Sequence, residues 1–127
     1  MILASGSAGA ILLGAAALAQ ASTSYSSYNT TIGKYGGAAY SGNQKKTISD
    51  QNAEVISSSV GGSYTADVCL ASSGGSLCLG GTKTINDGTK VALWNLAGEG
   101  ATVKIKFTDG WKWVNVQVTG KWRADKV

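Results

Sequence analysis

The sequence predicts an all-β protein, an antiparallel β-sandwich of about seven to eight short strands with a C-terminal hairpin. Three observations carry that expectation. Apolar and polar residues alternate in short runs, and no stretch beyond the N-terminal segment makes a convincing helix. The chain has 18 glycines, no proline and runs of Ser, Thr and Asn, which suits short strands joined by tight turns. Finally, two alternating runs between Ala101 and Trp122 (ATVKIKFTDGWKWVNVQVTGKW) flank Asp109-Gly110, a favoured pair for a two-residue type I′ turn. With that turn, Thr108 pairs with Trp111, Ile105 with Val114, Val103 with Val116 and Ala101 with Val118. Val103, Ile105 and Phe107 then share an apolar face with Val114, Val116 and Val118, and a one-residue slip would destroy it.

Residues 1–21 read as a signal peptide. The apolar run Ala8 to Ala19 (AGAILLGAAALA) has the length of an h-region, and Ala19-Gln20-Ala21 supplies the small residues a signal peptidase needs, so cleavage is expected after Ala21. No Lys or Arg precedes the run, so the positive end would come from the amino terminus of Met1 or from a start a few residues earlier; a membrane anchor is the alternative. Residues 22–127 are expected to form one secreted domain, a size that buries roughly two thirds of its unfolded surface.

Along that domain, Tyr28 to Tyr40 forms a first strand with Tyr28, Thr30 and Ile32 on one side and a bend at Gly36-Gly37. Gln44 to Ser49 and Ala53 to Val60 follow as two more. Ser63 to Ala71 alternates with Tyr64, Ala66, Val68 and Leu70 inward, and Ser76 to Leu79 is its expected partner. Asn86-Asp87-Gly88 marks a turn, after which Thr89 to Leu96 places Ala92, Trp94 and Leu96 on one face, with Trp94 in the core. Trp122 falls by parity on the apolar face of the last strand.

Cys69 and Cys78 are the only cysteines, and in an oxidising compartment two so close are expected to pair. A turn at Ser73-Gly74 sets Cys69 directly opposite Cys78, whereas a turn at Gly74-Gly75 offsets them.

Catalysis is poorly provided for. There is no histidine, so Ser-His and Cys-His nucleophiles and histidine metal sites are absent. Asp87 and Asp109 belong to turns, Glu99 sits between glycines, and no phosphate-binding glycine loop occurs. The expectation is a non-enzymatic protein without catalytic residues, metal or cofactor. Charge is uneven: five lysines balance five acids between residues 22 and 100, while Lys104, Lys106, Lys112, Lys121, Arg123 and Lys126 face only Asp109 and Asp125 beyond, so the net +4 lies in the last segment. A basic end suits an anionic partner, although lysines on a strand also discourage edge pairing.

On the expected hairpin, Trp111 and Trp113 share a face with Lys104 and Lys106. Tryptophan beside lysine suits sugar stacking, docking at a lipid interface or base stacking. These four are the candidate binding residues, for an anionic cell-envelope surface or a glycan; export argues against nucleic acid.

The ending Val116-Gln117-Val118-Thr119-Gly120-Lys121-Trp122, followed by Arg123-Ala124-Asp125, resembles the V-x-V-[ST]-G-x-W-x-x-[DE] close of small secreted proteins of Gram-positive bacteria, loosely grouped with lactococcin-like bacteriocins. Gly100 to Ile105 and Ala39 to Lys45 resemble earlier segments of the same group. The resemblance implies a secreted β-sandwich that acts by binding, with no catalytic residues to carry over; the cysteine pair departs from it. A carbohydrate-binding module and a secreted hydrolase inhibitor are the other functional expectations.

Overall fold

The computed structural model describes residues 22–126, so the expected signal peptide lies outside the described residues. Nine strands follow in order: β1 (Ser26–Ile32), β2 (Ala38–Tyr40), β3 (Gln44–Lys45), β4 (Ala53–Val60), β5 (Ala66–Ser72), β6 (Lys83–Ile85), β7 (Lys90–Leu93), β8 (Thr102–Thr108) and β9 (Val116–Arg123). They form two antiparallel sheets. One has the order β1-β9-β4-β7; the other has β2-β8-β5-β6, with β3 also pairing with β8. The all-β sandwich predicted from alternation and turns is the observed architecture.

The C-terminal hairpin is not. β8 and β9 lie in opposite sheets, so none of the cross-strand pairs expected around Asp109-Gly110 forms. Residues 109–115 carry the chain over the end of the sandwich instead of reversing it within one sheet. β8 pairs with β5 (Leu70 opposite Ile105), and β9 lies between β1 and β4 (Thr30 and Val60 both opposite Val118). The inward parity survives this change. Val103, Ile105 and Phe107 are buried on one side of the core, Val116, Val118 and Trp122 on the other, while Val114 is left exposed. Alternation reports which way side chains point, and two apolar faces bury each other equally well stacked across a core.

Other elements show the same separation of parity from pairing. The expected strand through Gly36-Gly37 is two strands in different sheets, although Tyr28 and Ile32 are buried as expected. β4 has the expected bounds. In β5, Ala66, Val68 and Leu70 point inward, but Tyr64 precedes the strand and is exposed. β7 turns the opposite way from expectation: Leu93, Asn95 and Ala97 are buried, while Trp94, assigned to the core, is 56% exposed and Leu96 is exposed too. That run is apolar on both faces, so tertiary pairing decides: Ala53 and Leu93 are opposite each other on the inner face of the sheet.

Cys69 and Cys78 form the expected disulfide, with Cα atoms 5.6 Å apart. Ala71, not Cys69, is the residue opposite Cys78. The turn is at Ser73-Gly74, closed by the Gly75 amide donating to the Ser72 carbonyl (3.0 Å), but the returning segment is offset from the register expected for that turn, and the bond runs diagonally. The loop so closed lies on the outer side of β8, where Lys104 Nζ donates to the Ser73 carbonyl (3.1 Å) and Lys106 Nζ to the Ser76 carbonyl (2.7 Å). Reducing the bond, or replacing both cysteines by serine, should lower stability by about 2–3 kcal/mol in the chain-entropy account of so short a loop. Denaturant titration with and without reductant reads this directly; coincident curves would remove any stabilising role for the bond.

At the end opposite residues 109–115, a buried ion pair ties down the C-terminus. Lys46 Nζ lies 2.7 Å from Asp125 Oδ1, and both side chains are fully buried. The ammonium also donates to the carbonyls of Gln51 (2.7 Å) and Ala124 (3.1 Å), while Asp125 Oδ2 accepts the Thr47 amide (2.8 Å). Every charged atom here has a hydrogen-bond partner, the condition under which a buried pair is tolerated.

Candidate functional site

The sheet topology gathers four connections at one end. Residues 33–37 (β1 to β2), 61–65 (β4 to β5), 86–89 (β6 to β7) and 109–115 (β8 to β9) all cross from one sheet to the other there. In a sandwich, such an end is where loops are free to carry side chains the core does not need.

Residues 33–37 and 109–115 dock on each other. The Tyr35 amide donates to the Lys112 carbonyl (2.7 Å), and the Lys34 amide donates to Asn115 Oδ1 (2.9 Å). Tyr35 adopts φ = 64°, an unfavourable value for a bulky residue, followed by Gly36 at φ = 80°. Gly37 must be glycine, because a Cβ there would stand 2.5 Å from the Gly33 carbonyl oxygen. The strained turn aims the Tyr35 ring at the tryptophans. Its centroid is 5.3 Å from that of Trp111 and 6.0 Å from that of Trp113, the latter edge-on. Tyr35, Trp111 and Trp113 are 47%, 63% and 76% exposed. Lys34 Nζ stands 5.2 Å from the Tyr35 centroid, and Lys112 Nζ 5.9 Å from that of Tyr64 in the neighbouring loop. The result is an aromatic ledge with two cations beside it.

Of the four residues singled out from sequence, Trp111 and Trp113 lie on this ledge. Lys104 and Lys106 do not join them through a common hairpin face, because that hairpin does not exist. They project from the middle of β8 onto the disulfide loop, with Lys104 Nζ also 4.1 Å above the Tyr40 ring. Lys34 and Lys112 take the place beside the rings that the sequence reading gave to Lys104 and Lys106. Tyr35 and Lys34 were missed because the contact spans more than seventy residues of chain; the aromatic residue immediately before Gly36-Gly37 was the available signal.

At the same end of the sandwich, Asp109 continues the inward parity of β8 and is only 6% exposed, with neither carboxylate oxygen in a hydrogen bond. Burial pushes its carboxyl above the usual range, and the Lys112 ammonium offsets only part of the rise. A raised folded value means stability present at acid pH, below about 3.9, is lost as pH rises through the folded value. Asp109→Asn should therefore melt higher than the parent at neutral pH, by a few degrees for a gain of about 1 kcal/mol, with the gap closing towards pH 3. A variant no more stable at pH 7 would show that the ionised carboxylate is well accommodated.

A second charged group lies away from this end, on the outer face of the other sheet. Glu54, itself buried, accepts from Arg123 Nε (2.9 Å) and from the Tyr25 hydroxyl, with Lys90 Nζ 3.6 Å away. Burial pushes the Glu54 carboxyl up, but these partners outweigh it and hold it below the usual range. Each group is satisfied by its neighbours, so the cluster reads as structural. Among the described residues, no three His, Cys, Asp or Glu side chains gather as a metal site would require.

No family model matches the chain, and none of the curated proteins or solved structures compared with it is similar. What the protein does is therefore read from the loop end itself.

Proposed function

We propose that the protein is a secreted, non-enzymatic binding protein, bacteriocin-like or otherwise directed at the cell envelope, that docks the aromatic loop end on an anionic envelope surface. The observation that carries this reading is the ledge of Tyr35, Trp111 and Trp113. Exposing three large rings together costs hydration free energy, and holding Tyr35 at positive φ adds backbone strain; both features concentrate at binding sites. Tyr35 packs against both tryptophans, and all three rings keep exposed surface for a partner to meet. Lys34 and Lys112 favour a partner that is negative overall.

The test is a cell-binding and viability assay on Gram-positive cells with residues 22–127, beside a Trp111→Ala/Trp113→Ala variant. Both tryptophans are exposed, so the variant should keep its melting temperature, while affinity falls about tenfold or more if the pair behaves as an interface anchor. Binding should also weaken between about 0.05 M and 0.5 M salt. Equal binding by the folded variant would place the interaction elsewhere on the molecule.

A further inference from the structure

Next to the ledge, residues 61–65 and 86–89 border a shallow, open cavity of about 190 Å³, lined by Gly62, Ser63, Tyr64, Thr65, Asn86 and Asp87. That is below the roughly 300–1,000 Å³ of pockets that hold drug-sized ligands, and it suits a single ring-sized group. Its wall is part aromatic and part polar. The turn through Gly62 (φ = 62°) folds Tyr64 back, with the Tyr64 amide donating to the Gly61 carbonyl, and a Cβ on Gly62 would press on the tyrosine ring at 3.2 Å.

The polar groups of the wall are only partly used by the fold. Asp87 Oδ1 accepts the Val60 amide (2.8 Å), which fixes the carboxylate, while Oδ2 has no hydrogen bond among the described residues. Thr89 Oγ1 engages only the backbone of Asn86, accepting from its amide and donating to its carbonyl. The Asn86 carboxamide is thus left with both donor and acceptor capacity. A pre-positioned carboxylate oxygen, a neighbouring carboxamide and an aromatic ring match the needs of a pyranose. Its adjacent hydroxyls both donate and accept, and its C–H face packs on a ring. Lys112, over Tyr64 on one side and between Trp111 and Trp113 in sequence, connects the cavity to the ledge.

We infer that this cavity is a pyranose subsite, and that the envelope component engaged by the loop end is an anionic glycan polymer rather than a lipid headgroup. The inference rests on the binding role proposed for the loop end: one sugar sits in the cavity while the chain crosses Lys112 to the tryptophans. Wall-attached and released polymer share this chemistry.

The experiment uses residues 22–127 on an array of defined pyranosides, with anionic and zwitterionic phospholipid vesicles and whole Gram-positive cells as parallel arms. The expected result is binding to a subset of pyranosides, reduced about five- to tenfold in Asn86→Ala and Tyr64→Ala, consistent with loss of one polar or stacking contact. Cells should be bound less well by the same variants. Because Asn86 is exposed and its side chain supports nothing in the fold, Asn86→Ala separates recognition from folding. Vesicle binding without pyranoside binding would overturn the subsite. So would Asn86→Ala and Tyr64→Ala binding cells as the parent does while Trp111→Ala/Trp113→Ala fails, an outcome that leaves the envelope role intact. If that tryptophan variant binds cells as the parent does, the loop-end role fails and the subsite falls with it.

Discussion

Replacing Lys46 by Met should destabilise the protein by about 3–5 kcal/mol, the cost of leaving a buried charge without its partner. Lys46 and Asp125 are fully enclosed and 2.7 Å apart. The ammonium also donates to the carbonyls of Gln51 and Ala124; Gln51 keeps a second donor in the Asn95 carboxamide, so loss of the ammonium orphans the Ala124 carbonyl as well. Asp125→Asn should cost a similar amount, because one amide oxygen cannot accept from both Lys46 and the Thr47 amide, and the buried ammonium is left without its anion. Lys46→Met combined with Asp125→Asn should recover part of the single-variant loss, since no unpaired charge then remains. Denaturant unfolding of the three variants reads the coupling, and a loss under about 1 kcal/mol for Lys46→Met would mean that water reaches the site.

The same pair sets an acid limit. Burial pushes the Asp125 carboxyl up, but the bonds from Lys46, the Thr47 amide and Ser22 outweigh it and hold it below the usual carboxylate range. A depressed folded value contributes stability above the unfolded value of about 3.9, and that stability is lost as pH falls through the folded value. Asp109 works in the opposite sense, so in an Asp109→Asn background the acid loss should stand out more clearly.

The second large effect is expected at Gly120. A Cβ there would lie 2.2 Å from the Ile56 carbonyl oxygen and 2.6 Å from the Tyr28 hydroxyl, distances that no rotamer change relieves on the backbone side. Gly120 lies in the central strand β9, opposite Tyr28 on one neighbour and Ser57 on the other. β4 shifts register between Ser57 and Ser59 at this level, and the space above Gly120 is filled by the buried Tyr28 side chain. Burial there pushes the phenol up to about 12, with the Ser57 hydroxyl opposing the rise. Gly120→Ala must therefore separate β9 from β4 or expel the tyrosine. The expected cost is about 3 kcal/mol, the upper end for overpacking. Gly42→Ala is the control, since nothing lies within 4 Å of a Cβ at that site and the variant should stay within about 1 kcal/mol of the parent. Similar melting of the two variants would show that the sheet yields at Gly120.

Parts of the candidate site were legible in the sequence and parts were not. Trp111 and Trp113 stood out as tryptophans beside lysines on the expected hairpin face, and both lie exposed at the loop end. Their neighbours could not be read. The Tyr35 contact and the pairing of residues 33–37 with 109–115 depend on β8 and β9 lying in different sheets, whereas the alternation in both strands is equally compatible with a hairpin. Lys104 and Lys106 were placed beside the tryptophans by that hairpin alone. Asn86 and Asp87 were recognised as a turn, but their shared cavity with Tyr64 exists only because β4–β5 and β6–β7 cross at the same end.

The sequence by itself determined the class of fold, the buried faces of β8 and β9, the bounds of β4 and the pairing of the two cysteines. Each of these follows from local periodicity, or from two reactive groups close together in the chain. Tertiary structure alone decided which strands lie side by side, which face of the doubly apolar β7 turns inward, and that Lys46 and Asp125 meet. The physical reason is that side-chain alternation constrains a strand's orientation to the core but not its neighbour. Neighbours are selected by the joint burial of all faces and by backbone hydrogen bonds between segments far apart in sequence.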